Sequence, residues 1–252
     1  MKRILILVTW IVTSSVSMAQ RLPLFDLEEM NLTNNVPETQ KVIDIREDIR
    51  FELEKKLQSR GFAWGDPIYV RIFKKEARLR VYMQRENGDF DLFDEYKICR
   101  LRKKLGPKIK EGDKKSPEGF YFVLGPWMNP WSRFRLAYNI GYPNRFDRLH
   151  ERTGSNLMVH GKCVSSGCFA MRKNIDELYI LADAALRSGQ RFFRVHIFPF
   201  EMTEKNMRRY RKNEWFDFWK NLKEGYDLFQ VFKRPPNVEV DLETKRYVFN
   251  IE

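Results

Sequence analysis

The sequence predicts an α+β fold, rich in β-structure, with one helix ahead of the strands and a helical layer behind them. Three patterns carry that expectation. Apolar residues recur every four positions from Ile45 to Leu57, alternate with polar ones from Arg78 to Met83, and return to helical spacing from Trp215 to Phe229. The chain has 252 residues, 43% hydrophobic and 14% aromatic, enough to bury a sizeable core. Six Trp and twenty Phe argue against disorder.

The first nineteen residues read as an address. Lys2-Arg3 form a short positive region, Ile4 to Val12 an apolar one, and Ser17-Met18-Ala19 places small residues ahead of Gln20. That is the pattern of a secretory signal peptide cleaved after Ala19. Its apolar run falls short of the ~20 residues a bilayer span requires, and no later segment is long and apolar enough. An exported protein without a membrane span after cleavage is therefore expected. Residues 20–43 carry Asn31, Thr33, Asn34, Asn35 and Pro37 among scattered apolars and read as a linker. A catalytic domain is expected over 44–200, and a helical extension packed on it over 201–252.

From Asp44 onward, Ile45, Ile49, Leu53 and Leu57 define one face of a helix that Gly61 stops. Ile68 to Phe73 is a strand, Lys74-Lys75-Glu76 a turn. In the next strand Leu79, Val81 and Met83 alternate with Arg78, Arg80 and Tyr82, giving one buried and one wetted face. Asn87-Gly88 is a strong hairpin signal, and a third strand runs through Tyr96, Ile98 and Cys99. Turn formers from Gly106 to Gly119 lead into an aromatic strand, and the charges between them read as a solvated face.

Between Trp127 and His150, Trp131, Phe134, Tyr138, Tyr142 and Phe146 interleave with Arg133, Arg135, Arg145 and Arg148. Such a stretch would look the same as a cleft wall or as core with snorkelling arginines; core is the expectation. Asn174 is the expected N-cap of a helix with Glu177 three residues on, a face of Ile175, Leu178, Ala182, Ala185 and Leu186, and Gly189 as its stop. A strand follows from Phe192 to Phe200, with Val195 and Ile197 on one face and Arg194, His196 and Phe198 on the other. Trp215, Phe218, Trp219, Leu222, Tyr226 and Phe229 then form a helical stripe that should pack on the sheet, stopped by Pro235-Pro236. The tail from Val238 to Ile251 is expected to add an edge strand.

The formal charge of +12 suits a polyanionic surface. No zinc-finger spacing, RNP-type strand or long basic run points to nucleic acid. No Gly-rich phosphate loop and no metal-ligand spacing occurs, and three scattered histidines make no zinc site. Neither metal nor cofactor is expected.

Chemistry concentrates between Met158 and Met171, where His160-Gly161 is followed by Ser165-Ser166-Gly167-Cys168. A cysteine is nucleophilic as thiolate, and a neighbouring histidine can take its proton and return it to a leaving amine. Gly167 would let the backbone adopt positive φ or approach a substrate, with N–H groups turned to an oxyanion. The helix signals that follow place Cys168 near a helix N-terminus, where the dipole would favour the thiolate. The competing reading is a cysteine buried as a small hydrophobe. In an exported protein three cysteines cannot all pair internally, and the nucleophile reading leaves Cys168 free. Cys163 either pairs with Cys99 or packs as a small apolar residue. The latter is the expectation, because three cysteines make no disulfide scaffold. His196 is a candidate for supporting Cys168 or binding a carboxylate, although a lone strand histidine is more often structural.

These residues resemble the signature of the L,D-transpeptidase catalytic domain (YkuD-type), usually His-Gly, a spacer, then Ser-His-Gly-Cys. Cys168-Phe169-Ala170-Met171, Ser116-Pro117-Glu118-Gly119-Phe120-Tyr121 and the run from Phe192 to Phe200 are most similar to its YafK-like branch. The resemblance implies a β-rich fold and chemistry on peptidoglycan stem peptides in the periplasm or cell envelope of a Gram-negative-type bacterium. It implies Cys168 as nucleophile and His160 as base, with Gly161 orienting the ring through its carbonyl and the N–H groups of Gly167 and Cys168 as oxyanion donors. The thioester would pass to an amine, forming a cross-link or anchoring a lipoprotein; hydrolysis that detaches such a protein is the alternative, and a non-catalytic wall-binding module a second. Two positions depart from the family. Ser166 stands in place of a histidine, so that a possible oxyanion donor is either a hydroxyl or missing. Ala170 stands in place of an arginine, so Arg172 or Arg194 would have to meet a carboxylate.

Overall fold

A computed structural model describes residues 20–24 and 35–251; the expected signal peptide and its cleavage point lie outside them. The linker expectation changes where residues are described. Arg21–Pro23 forms strand β1, and Leu24 and Val36 are buried. Helix α1, Gln40–Ser59, begins ahead of Asp44 because Val42 joins Ile45, Leu53 and Leu57 on the buried face. Strands β2 (Ile68–Phe73), β3 (Arg78–Gln84) and β4 (Phe90–Lys97) form the expected meander, although β4 ends before Ile98 and Cys99. At its Asn87-Gly88 turn the Arg85 N–H donates to the Asp89 carbonyl over 2.7 Å. Then come β5 (Gly119–Leu124), β6 (Met128–Asn129), β7 (Ala137–Asn139), α2 (Arg145–Leu149), β8 (Met158–His160), β9 (Phe169–Ala170), α3 (Asn174–Arg187) and β10 (Phe192–Phe198). Helices α4 (Glu204–Tyr210) and α5 (Phe216–Phe232) precede a hairpin of β11 (Asn237–Asp241) and β12 (Arg246–Asn250).

The central sheet has the order β4-β3-β2-β10-β5, with β10 parallel to β2 and antiparallel to β5. Successive side chains point to opposite faces. Val70, Ile72, Val123, Val195 and Ile197 enter a core shared with α1 and α3, together with Tyr138, Val159 and Phe169 of the short sheet β6-β7-β8-β9. On the other face Phe73, Phe120 and Phe198 lie under Trp219, Leu222 and Tyr226 of α5. Both faces are covered, which is why β2 and β5 read as nearly continuous apolar runs. Each large apolar side chain fully buried here contributes roughly 1.5–3 kcal/mol. The expected aromatic stripe thus packs on the sheet. The tail builds a separate sheet, β1-β11-β12, instead of an edge strand on the main one.

Glu118, from the loop read as a solvated face, is fully enclosed, and so is Lys74 of the turn after β2. Lys74 Nζ donates to Glu118 Oε1 over 2.8 Å and to the carbonyls of Gly106 and Ser116, while Gly106 N–H and Trp219 Nε1 donate to the same carboxylate. This satisfied network ties the turn-rich 106–118 segment to the sheet and to α5. At α3 the cap position falls on Lys173, so Asn174 is the first helical residue and no capping box forms. Glu177 instead accepts from Lys56 and Tyr96.

Candidate active site

The short sheet brings the chemistry-bearing residues together by strand alternation. β8 pairs antiparallel with β7 and parallel with β9, with Val159 opposite Phe169 and His160 opposite Ala170. Val159 and Phe169 are fully buried in the core. Their neighbours Met158, His160 and Cys168 turn the other way and line one open cleft of about 870 Å³. The end of β6 supplies Asn129, the segment between β6 and β7 supplies Trp131, Ser132, Arg133 and Phe134, and Asn156, Val164, Ser165 and Ser166 complete the lining.

His160 is almost fully buried, its ring packed on Phe134 at a centroid distance of 4.7 Å. Nδ1 lies 2.6 Å from the Gly161 carbonyl oxygen. A carbonyl only accepts, so Nδ1 carries the proton and Nε2 presents a lone pair. Burial holds this imidazole below its ordinary pKa, partly offset by the Gly161 bond. Cys168 is half-buried, its sulfur 3.7 Å from the Asn156 carbonyl oxygen. Burial pushes the thiol pKa up, against a backbone hydrogen bond from Met158 and the positive charge of Lys108. At neutral pH the resting pair is a neutral thiol and a neutral imidazole. The helix dipole expected to favour a thiolate is not at hand: Cys168 leads into β9, and α3 begins only at Asn174.

Both glycines are required by close approach, not by positive φ. A Cβ on Gly161 would lie 2.4 Å from the Phe134 carbonyl oxygen and 2.9 Å from Ile175 Cγ2. On Gly167 it would meet the Lys115 carbonyl oxygen at 3.2 Å. The Gly167 N–H, expected to face an oxyanion, donates to Ser165 Oγ over 3.1 Å, and that hydroxyl donates to the Cys168 carbonyl over 2.6 Å. Ser165 therefore braces the turn. Ser166 is exposed at the cleft rim.

Cys163 does not pack as an isolated apolar residue: it forms a disulfide with Cys99, at a Cα–Cα distance of 5.6 Å. The reason lies in the backbone. Cys99 N–H donates to the Ala170 carbonyl over 2.8 Å, which sets the exit of β4 beside the loop between β8 and β9. Cys168 is the free cysteine.

Three expected substrate contacts lie outside the cleft. His196 is fully buried on the opposite face of the central sheet, its Nδ1 2.7 Å from the Tyr69 hydroxyl and its ring against Phe120. Arg194, on that same face, donates to Asn237 of β11. Arg172 points to the disulfide, Nε 3.0 Å from Cys99 Sγ. Conversely, the Trp127–His150 stretch divides: Tyr138, Tyr142 and Phe146 are core, but Trp131 is 69% exposed and stands at the cleft with Arg133 and Phe134. Asn156, missed from sequence, has φ +54°. The turn formers Gly154-Ser155 before it were the available signal. Among the described residues no three metal-ligating side chains converge.

The sequence model of the L,D-transpeptidase catalytic domain (YkuD) matches residues 67–197, more than half of the chain. The protein of Escherichia coli strain K12 named "Putative L,D-transpeptidase YafK" is 46% identical over 177 residues, which is 70% of this chain and 72% of that one. This chain belongs to the L,D-transpeptidase catalytic-domain family. Its likeness to solved structures is lower. The helical cell shape determining protein Pgp2 from Campylobacter jejuni shares 19% identity at a TM-score of 0.42, over 79% of this chain and 84% of that one. Bd1075 from Bdellovibrio bacteriovorus shares 21% at 0.36, over 83% and 66%. Within the L,D-transpeptidase pattern, the two departures now have places. Ser166 puts a hydroxyl where the family's histidine would stand. Ala170 is fully buried, its N–H donating to the Arg100 carbonyl over 3.0 Å, so nothing at that position reaches the cleft.

Proposed function

We propose that the chain is an exported cysteine acyl enzyme acting on peptidoglycan stem peptides. One observation carries the reading: a free thiol and a histidine whose Nδ1 is locked on a backbone carbonyl line the same cleft. His160 Nε2 takes the thiol proton as Cys168 Sγ attacks the carbonyl at the L-centre of the diamino acid. The carbonyl π electrons move onto oxygen, facing the Cys168 N–H, since the Gly167 N–H is engaged by Ser165. As the intermediate collapses, the C–N bond to D-alanine breaks and His160 returns its proton to the departing nitrogen, leaving a thioester. An acceptor amine, giving up its proton to His160, then releases the acyl group as a cross-link or a protein anchor. Water in the same position gives hydrolysis.

Residues 1–19 supply the export step by the signal pattern described above. No helix among the described residues is long and apolar enough to cross a membrane. Incubating the protein with tetrapeptide muropeptides tests the activity. Loss of D-alanine is expected, with joined products only when a diamino acceptor is added if transfer is the reaction. Unchanged muropeptides under conditions that keep Cys168 reduced would remove the proposal. A Cys168→Ala variant that keeps its cellular effect and its binding to sacculi would favour a wall-binding module.

A further inference from the structure

The cleft contains one charged side chain among its described lining residues, and it is a cation. Arg133 shares that lining with aromatics, amides and hydroxyls, beside the neutral His160. No carboxylate pairs with Arg133 among the described residues, whereas Arg135, two positions on, is held by Asp176 through both carboxylate oxygens. The Arg133 guanidinium lies over the Phe134 ring, 5.0 Å from its centre, and Phe134 packs in turn on His160. Phe134 thus touches both the guanidinium and the imidazole, and a fixed positive charge lines the same cleft as the base. No hydrogen bond engages this guanidinium among the described residues, and a guanidinium edge presents parallel N–H donors matched to a carboxylate.

We infer that Arg133 is the carboxylate-binding residue of this cleft. It takes the place of the arginine the family carries after the nucleophile, which buried Ala170 cannot replace. The inference rests on the acyl-enzyme reading for its substrate. A stem peptide offers two carboxylates near the scissile bond: that of the departing D-alanine and the second one of the diamino acid. Either would form the same bidentate pair, and only a substrate carrying it would be drawn with its carbonyl toward Cys168. The exposed Trp131 flanks this subsite and gives the peptide backbone an apolar surface.

The test compares three synthetic tetrapeptide stems, one unmodified, one with a C-terminal carboxamide, and one with the diamino-acid carboxylate amidated. With the wild-type full chain, one of the two amidated stems should show KM raised about tenfold or more, with kcat changing less. Arg133→Gln should raise KM for the unmodified stem by a similar factor and erase the difference between the stems; Arg133→Lys should restore part of it. Which amide matters identifies the carboxylate. Equal preference among the three stems in wild type and Arg133→Gln overturns the inference while leaving the acyl chemistry intact. Should no stem be turned over, calorimetric binding of the same stems to Cys168→Ala and to Cys168→Ala/Arg133→Gln reads the subsite alone. A carboxylate preference lost with Arg133 supports it; equal binding of all three stems, or none, overturns it.

Discussion

The carbonyl oxygen of Gly161 lies 2.6 Å from Nδ1 of His160, so the residue after the base fixes both its tautomer and its orientation. In many catalytic histidines a side-chain carboxylate performs this service and stabilises the imidazolium as well. A neutral carbonyl orients the ring with no such charge. Burial, only partly offset by that bond, leaves His160 a weaker base, and burial keeps Cys168 a protonated thiol.

That pair dictates a pH profile. The base must be neutral, and its pKa lies below the ordinary value of about 6.5. The acid limb of kcat/KM should therefore fall below that value, with activity lost as pH drops through the lowered pKa. Alkylation of Cys168 by iodoacetamide should accelerate only above the ordinary thiol pKa of about 8.5, because burial raises it. Fast alkylation at pH 6, unchanged in His160→Ala, would contradict a neutral resting pair.

Gly161→Ala should damage activity more than stability. Its Cβ must displace the backbone of residue 134, and with it the ring that positions His160. Misplacement of the base by about 1 Å predicts a loss on the order of 100-fold in kcat. Stability should fall by about 1–3 kcal/mol, as in other overpacked sites. Steady-state kinetics beside urea denaturation separate the two.

The disulfide joins residues separated by 64 positions and closes the loop that leads to the nucleophile. The chain-entropy argument gives up to about 4 kcal/mol for a loop of that length. Cys163→Ala should lower the urea midpoint by an amount that reductant produces in the wild type and not in the variant. Reduction should also slow turnover, because the loop between β8 and β9 loses its tie to the end of β4. A midpoint indifferent to reductant would mean that the cross-link contributes nothing.

Glu118→Gln should be among the most destabilising single changes in the chain. It leaves the Lys74 ammonium fully enclosed without a counter-charge, a loss of about 3–5 kcal/mol. Combining it with Lys74→Met should recover much of that loss. If both variants unfold at the same urea concentration as wild type, the pair is not buried as described.

The sequence made periodic structure legible and left contacts obscure. Ile45, Leu53 and Leu57 announced α1, the alternation in β3 announced its two faces, and the stripe from Trp215 to Phe229 announced α5. His160 and Cys168 could be paired from their shared motif. Nothing local told Cys163 from a buried apolar residue, since its partner is brought in by β4. His196 and Arg194 were read correctly as sharing a face, but only the stacking of layers reveals that this face is turned from the cleft. Arg133 and Phe134 were hidden for a similar reason: aromatic and arginine-rich segments look alike whether they fill a core or wall a cleft, and here one segment does both.

Intact-protein mass spectrometry after brief mixing with a tetrapeptide stem tests the central claim most directly. Wild type should gain the mass of the stem less D-alanine, localised by peptide mapping to Cys168 and released by hydroxylamine as a thioester. Cys168→Ala should gain nothing, and His160→Ala should acylate far more slowly. An adduct on another residue, or an unmodified Cys168 while the stem is being consumed, would contradict the account.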